Sequence, residues 1–320
     1  MAALVKNPNQ IRLAMVGMVA ENGHPYSWSA IFNGFDANVM AHSPYPVINK
    51  YLCAQPKHAF GIENARVTHI WCDDPADARR VAAATLIPNV VRHPLDVIEN
   101  VDAVIIPTDI GDEHLERARP FIEAGLPVFI DKPLTTREEH LRLFAQWQRE
   151  GKPIFSSSCM RYCRKYAECG ERIASIGDIR LITMTMYKSW ERYGIHALEG
   201  VYPFLTAGRW LSVTNSGAAG ADIVHVRHES GTSVVLASIS DMYGAFGFLN
   251  VHGTKGSLSA RFENTFAAFK AQLAAFVKYL QTGKLPFSFE ETVEQMKIVI
   301  ATIRSREEGG RKVALPEIKV

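Results

Sequence analysis

The sequence predicts an α/β protein of two domains, a doubly wound parallel sheet followed by an α+β domain with a mostly antiparallel, open sheet. The length of 320 residues fits two domains at about 150 residues each. Apolar strands alternate with helices in the first half, whereas short turns join the strands of the second half. We therefore predict a first domain over residues 1–155 and a second over residues 156–320.

The composition excludes several classes of protein. The 35 Lys and Arg residues nearly balance 33 Asp and Glu residues, which gives no electrostatic case for nucleic acid or an anionic membrane. No apolar run approaches the length of about 18 residues that a membrane span needs. The first 19 residues lack the apolar core and cleavage site of a signal peptide. The odd number of cysteines, five, favours a reducing cytoplasm.

The strands of the first half are apolar along almost their whole length. They are predicted at residues 11–16, 67–71, 101–106, 127–130 and 153–156, with helices at 75–84, 114–123 and 136–148. Strands of this kind, separated by helices, are typical of parallel βαβ units that are buried on both faces. Pro75 suits a first helical turn with Asp74 as its cap.

The second half reads as strands joined by short turns, with helices at its two ends. The predicted strands are residues 178–186, 222–228, 232–239, 247–252 and 258–262, the helices 164–175, 265–280 and 289–306, and a small edge strand 312–315. Thr183 and Thr185 alternate with apolar residues, as in a half-buried strand. Since an open sheet face usually needs a cover, we expect a homo-oligomer, a dimer or a tetramer.

The turn after the first strand carries a damaged glycine fingerprint. A doubly wound sheet binds a nucleotide at the carboxyl ends of its strands, with G-x-G-x-x-G after strand one. Here Gly17 is present, Val19 and Asn22 replace the next two glycines, and Gly23 comes one residue late. Two interpretations remain open: a phosphate-binding loop with Gly17, Val19 and Gly23 at the cofactor and Ser27 capping a helix, or a plain connection.

An acidic residue ends the second strand, where a dinucleotide's ribose would be bound. Asp73 lies 56 residues after Gly17 instead of about 20, and an insertion over residues 36–65 accounts for the excess. A carboxylate there accepts the ribose hydroxyls and repels a 2′-phosphate, which favours NAD and makes NADP a weaker ligand. Arg79 and Arg80 lie too far along to bind that phosphate. Alternatively, Asp73 or Asp74 only caps the next helix.

Short motifs appear in order along nearly the whole chain. They are VDAVIIPT at 101–108, His114, EAG at 123–125, DKP at 131–133, Arg161-Tyr162, GIH at 194–196, GTKG at 253–256 and GRKV at 310–313. Each is weak by itself, but the ordered set resembles the Gfo/Idh/MocA oxidoreductases. That resemblance implies a dinucleotide-binding Rossmann domain followed by a domain for substrate binding and oligomerisation.

The resemblance also implies NAD(P)-dependent hydride transfer between a nicotinamide and a secondary alcohol of a sugar, polyol or sugar acid. Lys132 would touch the substrate hydroxyl and the nicotinamide region, and His196 would be the main proton acceptor. A histidine suits that role because its pKa lies near the operating pH, and a lysine can stabilise a developing alkoxide. The resemblance places further cofactor contacts at Thr108, His114 and Asp131, and further substrate contacts at Arg161 and Tyr162.

Arg192 stands where that family commonly has an aspartate, four residues before His196. Glu199, three residues after His196, is predicted to replace the lost carboxylate because positions i and i+3 share a helix face. Arg192 is predicted to lower the pKa of His196 by like-charge repulsion, and its planar fork suits a substrate carboxylate. In the alternative, Arg192 pairs with Glu191 or Glu199 and never meets substrate.

Two other functions stay open at this point. One is glycoside cleavage through transient oxidation with recycled NAD, and the other is a non-catalytic regulator that binds nucleotide or sugar. Lys188, Tyr193 and Tyr202 surround the His196 segment, where aromatic rings would either stack on a sugar or pack in the core. No metal site is predicted, because the cysteines at 159, 163 and 169 lack a paired C-x-x-C or a flanking histidine.

Overall fold

The first sheet has six parallel strands and helices on both faces. The computed structural model describes residues 2–205 and 207–320. The strands are β1 (Ile11–Val16), β2 (Ala65–Trp71), β3 (Asn89–Val90), β4 (Ala103–Ile106), β5 (Val128–Ile130) and β6 (Ile154–Phe155). The helices are α1 (His24–Asn33), α2 (Ala37–Met40), α3 (Pro46–Cys53), α4 (Pro75–Thr85), α5 (His114–Glu123) and α6 (Glu138–Arg149).

The strand order is β3-β2-β1-β4-β5-β6, which confirms the predicted doubly wound fold. Every residue of β4 and β5 is buried, as expected where helices cover both faces. The order reverses between β1 and β4, so a crevice opens at the carboxyl ends of these two strands. The prediction missed β3, whose two exposed residues give no apolar signal, and the helices α2 and α3 of the insertion.

The second sheet has seven strands in the order β12-β11-β7-β10-β9-β8-β13. They are β7 (Ile179–Tyr187), β8 (Trp210–Asn215), β9 (Ala221–His228), β10 (Ser233–Ile239), β11 (Phe248–Gly253), β12 (Ser257–Arg261) and β13 (Val313–Ala314). Within this second sheet, as far as the described residues go, only the pair β7–β10 is parallel. The mostly antiparallel sheet and its small edge strand are therefore confirmed, whereas β8 was missed.

Helices cover one face of this sheet. They are α7 (Arg164–Glu171), α8 (Trp190–Val201) and α10 (Phe289–Glu307), and α8 packs against β7, β10 and α10. The fourth helix, α9 (Thr265–Thr282), packs instead against α1 and α3 beside the first sheet. Alternate residues of β7 are buried and half-buried, so the second face of the sheet stays open. The predicted helix 164–175 ends early at Glu171 and gives way to a 3₁₀ turn at Ile173–Ile176. The division into domains at residue 155 stays a prediction.

The five cysteine thiols form no disulfide within the described residues. Those at 159, 163 and 169 are buried among apolar side chains. Residues 2–205 and 207–320 contain no group of three side chains arranged to hold a metal ion. Over the same ranges, no helix is both long and apolar enough to cross a bilayer.

Candidate active site

A tight glycine turn follows β1 at the carboxyl edge of the first sheet. Gly17 has φ of +103°, a conformation that favours glycine, and its N–H donates to the Trp71 carbonyl at 2.8 Å. A Cβ added to Gly17 would lie 3.1 Å from Thr108 Cγ2. The turn therefore brings the chain after β1 directly against the loop after β4.

Asn22 stands at the position of the third fingerprint glycine, just before helix α1, and its side chain binds the first residue of that helix. Its side chain accepts the His24 N–H at 2.8 Å and donates to the Pro107 carbonyl at 2.9 Å. The helix begins at His24 with Gly23 as its N-cap residue, so the prediction that Ser27 caps it is wrong. Ser27 is buried within the first turn, where its N–H already binds the Gly23 carbonyl.

The loop offers a phosphate fewer donors than an intact fingerprint does. The His24 N–H is capped by Asn22, Pro25 has no N–H, and Val19 lies half-buried with its carbonyl accepting the Asn22 N–H at 3.2 Å. A helix N-terminus attracts a phosphate mainly through its free N–H groups. We therefore expect weaker pyrophosphate binding here than on an intact G-x-G-x-x-G loop.

The Asp73 carboxylate lies beside the glycine turn despite the long insertion. Its Oδ2 is 3.4 Å from the Met18 N–H and 3.1 Å from Arg117 Nη1, and about half of the side chain is exposed. The neighbouring Asp74 caps α4 by accepting the Ala76 N–H at 2.7 Å. Asp74 therefore takes the capping role, and the ribose contact at Asp73, at the mouth of the crevice, stays a prediction.

Thr108 and His114 connect the loops that follow β4 and β5. His114 is fully buried, with Nε2 2.8 Å from the Thr108 carbonyl and Nδ1 2.8 Å from the Pro133 carbonyl. Burial lowers the pKa of His114. Both ring nitrogens face main-chain carbonyls, so the predicted direct cofactor contact at His114 is wrong, and the residue positions the two loops. Thr108 Oγ1 is buried without a partner among the described residues, which suits a hydroxyl that meets a bound dinucleotide.

Asp131 acts through its neighbours. Its carboxylate is buried, with Oδ1 accepting the Lys132 N–H at 2.7 Å and Oδ2 lying 2.7 Å from His24 Nδ1. The His24 ring stacks on Trp28 with centroids 4.5 Å apart. Both oxygens are occupied by protein groups, which corrects the prediction of a direct cofactor contact at Asp131. His24 itself was missed, because nothing in the linear sequence links it to the DKP motif.

Lys132 is buried beside a carboxylate that the sequence did not single out. Its Nζ lies 3.6 Å from Asp109 Oδ2 and 5.0 Å from the centroid of the Tyr193 ring. Arg192 binds the same carboxylate with both arms, Nε to Oδ2 at 3.1 Å and Nη2 to Oδ1 at 2.8 Å. Burial by itself would raise the pKa of Asp109, but Lys132 and Arg192 together hold it below its usual range.

This arrangement corrects the interpretation of Arg192. The guanidinium of Arg192 binds Asp109 through two nitrogens, so it is not free for a substrate carboxylate. The alternative prediction, that Arg192 pairs with Glu191 or Glu199, is also wrong. Glu191 instead binds Arg306. Arg192 Nη1 also lies 3.7 Å from the exposed carboxylate of Glu21 on the glycine loop.

His196 is buried on α8 and oriented by a serine. Its Nδ1 lies 2.6 Å from Ser158 Oγ, and its ring meets the Tyr193 ring edge-on at 4.9 Å. Nε2 forms no hydrogen bond within the described part of the chain and is the nitrogen left for a reaction. Burial, and then the charge of Lys132, lower the pKa of His196 well below its usual value. The predicted repulsion by Arg192 is not among the main causes.

Glu199 does not replace the missing aspartate. Its carboxylate is buried against the Arg161 guanidinium and accepts the Ser158 N–H at 3.3 Å, because a buried charge needs a charged partner. Burial raises the pKa of Glu199, and Arg161 opposes this effect. The link from Glu199 to His196 therefore runs only through the backbone and hydroxyl of Ser158.

Arg161 and Tyr162 belong to this structural network. Arg161 also binds Glu291 at 2.9 Å and lies 3.9 Å from the centroid of the Phe287 ring. Two carboxylates take Arg161 Nε and Nη1, whereas Nη2 is buried without a partner among the described residues, so the substrate contact at Arg161 stays a prediction. The Tyr162 hydroxyl is buried without a partner among the described residues, and burial raises the pKa of Tyr162.

The first sheet forms a Rossmann-type domain, with a crevice of the kind that binds nucleotides and an acidic residue after β2. A buried lysine near a buried histidine makes this crevice a candidate redox site. Residues 45–157 match a family described as Gfo/Idh/MocA, an oxidoreductase family with an NAD-binding Rossmann fold. The match confirms the resemblance that the ordered motifs predicted, over the Rossmann region.

Individual relatives agree with this assignment. The chain is 43% identical over 103 residues to inositol 2-dehydrogenase of Rhodococcus erythropolis, a match that spans 31% of this chain and 30% of that relative. A putative myo-inositol dehydrogenase of Sinorhizobium meliloti superposes with a TM-score of 0.73 at 17% identity, covering 96% of this chain and 100% of that one. GenD2 of gentamicin A biosynthesis, in complex with NAD, gives a TM-score of 0.73 at 16% identity, with 96% of each chain covered. At these identities, the solved structures show the fold alone.

Proposed function

We propose that this protein is an NAD(P)-dependent oxidoreductase that transfers a hydride between nicotinamide and a secondary alcohol of a sugar, polyol or sugar acid. One observation carries the proposal. A buried lysine, Lys132, follows β5 at the crevice, and its Nζ lies 5.0 Å from the centroid of the Tyr193 ring that the buried His196 ring meets at 4.9 Å. Both residues keep a reactive nitrogen in a site that the fold of dinucleotide-binding oxidoreductases provides.

The residues at the crevice fit a dinucleotide. The glycine turn at Gly17 and Gly23, the half-exposed Asp73 and the unpartnered hydroxyl of Thr108 would hold it. When bound, the nicotinamide supplies the hydride acceptor. Few N–H groups of the glycine loop are free to bind a phosphate. We therefore propose that NAD is held mainly through its ribose and through packing contacts.

The chain's own residues would manage the proton and the charge. His196 Nε2 accepts the proton of the substrate hydroxyl, while the Ser158 hydroxyl at 2.6 Å holds the ring in place. A depressed pKa keeps His196 neutral near pH 7, which is the form that accepts a proton. The Lys132 ammonium stabilises the developing alkoxide, and Asp109 holds that ammonium at 3.6 Å.

A panel of substrates tests the proposal. Purified protein with NAD is mixed with myo-inositol, glucose, galactose, the corresponding uronates and a methyl glycoside of each sugar, and both NADH absorbance and released sugar are followed. Net NADH formation supports the oxidoreductase. Product without net NADH would favour the glycoside-cleaving alternative, and binding without turnover would favour a regulator.

The cofactor preference is expected to depend on Asp73 and Arg117. We expect NADH to bind more tightly than NADPH, because the Asp73 carboxylate repels a 2′-phosphate. Arg117 lies 3.0 Å from Asp73 and partly neutralises its charge. Arg117→Ala should therefore increase the preference for NADH over NADPH. Asp73→Asn should weaken NADH binding by about tenfold. Fluorescence titrations of both cofactors measure these effects.

The exposed Arg119, two residues further along α5, provides the matched control for this experiment, since it binds Glu116 at 3.0 Å and lies outside the crevice. Arg119→Ala should leave both dissociation constants unchanged. Tighter binding of NADPH than NADH by the unmodified protein would contradict the assignment of Asp73.

We further propose a cytoplasmic homo-oligomer, a dimer or a tetramer. The five thiols, unpaired among the described residues, support a reducing compartment. The open face of the second sheet, with the half-exposed Ile223 and Phe248, supports association over that face.

A further inference from the structure

Two cationic side chains bind the Asp109 carboxylate, and a third, Lys188, lies over the same Tyr193 ring as one of them. Lys132 and Arg192 use both oxygens of Asp109. Lys188 forms no ion pair within 4.0 Å among the described residues. Its Nζ lies instead 4.9 Å from the centroid of the Tyr193 ring, the same ring that Lys132 approaches at 5.0 Å.

The backbone holds Lys188 in place at an energetic cost. Lys188 has φ of +66°, a left-handed conformation that is unfavourable for a residue other than glycine. It stands between β7 and α8, where Ser238 Oγ donates to the Lys188 carbonyl at 2.9 Å. Such strain tends to persist at functional sites. Burial, and then the charge of Arg192, lower the pKa of Lys188, so the surroundings favour an added negative charge.

We propose that Lys188 binds a carboxylate of the substrate, so that the alcohol handled by Lys132 and His196 belongs to a sugar acid. This inference rests on the proposed function and narrows its substrate class. A single unpaired ammonium matches a single negative charge, because the charges of Lys132 and Arg192 are already compensated by Asp109. The planar fork of Arg192 holds Asp109, and the point charge of Lys188 is free for the substrate.

Equilibrium binding to the protein–NADH complex tests the inference. Glucuronate and galacturonate are compared by calorimetry with glucose and galactose, and glucose 6-phosphate serves as the phosphate probe. We expect the unmodified protein to prefer the uronates. Lys188→Met should weaken uronate binding at least tenfold, the usual loss for a charge-assisted hydrogen bond, and neutral sugars less than threefold. Lys188→Arg should retain most of the uronate affinity.

Further variants separate binding from folding. Lys188→Gly removes the ammonium while suiting the left-handed backbone, so it should lose uronate binding without losing thermal stability. The exposed Lys312 provides the control Lys312→Met, which should change nothing. NADH affinity should stay the same in every variant, because the proposed anion belongs to the substrate and not to the cofactor.

The outcomes are distinct. Equal losses for uronates and neutral sugars in Lys188→Met, a preference for glucose 6-phosphate, weakened NADH binding, or no uronate binding at all would overturn the inference. If neutral sugars are then oxidised, the proposed function still stands. Lys188-dependent uronate binding without NADH formation on any substrate would instead support the anion site and overturn the oxidoreductase.

Discussion

Lys132→Met and His196→Ala are each expected to lower kcat by about 10²–10⁴-fold, the usual range for a positioned acid or base. Lys132→Met removes the ammonium that would stabilise the alkoxide. His196→Ala removes the proton acceptor and should change cofactor affinity much less. Steady-state rates with the best substrate of the panel, together with NADH titrations, measure both effects.

Exposed residues of the same types provide the controls, since Lys312→Met and His58→Ala alter side chains outside the crevice. The pH profile adds an independent reading. Because burial lowers the pKa of His196, the acid limb of kcat/KM should fall below the ordinary histidine value of about 6.5 and vanish in His196→Ala. Near-normal turnover in that variant would reduce His196 to a structural role.

Asp109→Asn is expected to cost both stability and activity. The substitution keeps the shape of the side chain but leaves Lys132, whose side chain is 3% exposed, beside Arg192 with no counter-charge. Breaking a buried ion pair by removing one partner costs about 3–5 kcal/mol. We expect a loss of about 3 kcal/mol in the free energy of unfolding, measured in urea, and a drop in kcat/KM of at least tenfold, since Lys132 would lose its position.

The exposed Glu63, which forms no ion pair among the described residues, provides the control Glu63→Gln, which should change the unfolding free energy by less than about 0.5 kcal/mol. The double variant Asp109→Asn/Arg192→Met should be more stable than Asp109→Asn alone, because one of the two stranded cations is gone. Additive losses in the double variant would show that the Asp109–Arg192 contact contributes little.

The sequence determined the architecture because each element carries its own local signal. The helix at His114–Glu123 was predicted to the residue, and Asp74 and Pro75 marked the start of α4. Unbroken apolar strands require cover on both faces, which allows few folds other than the doubly wound one. The ordered motifs predicted Lys132 and His196 as the reactive pair, and that assignment stays a prediction. The family match over residues 45–157 agrees with the fold of the first domain.

Only the tertiary structure decided which charges meet. Asp109 and Arg192 are 83 residues apart, and Arg117 reaches Asp73 over 44 residues, so no spacing rule connects them. The prediction for Glu199 failed because a shared helix face does not fix a side chain's partner. A buried carboxylate turns to the nearest cation that can compensate its desolvation, and that cation, Arg161, arrives from another element. Long-range pairing of buried charges is therefore what the sequence alone leaves undetermined in this site.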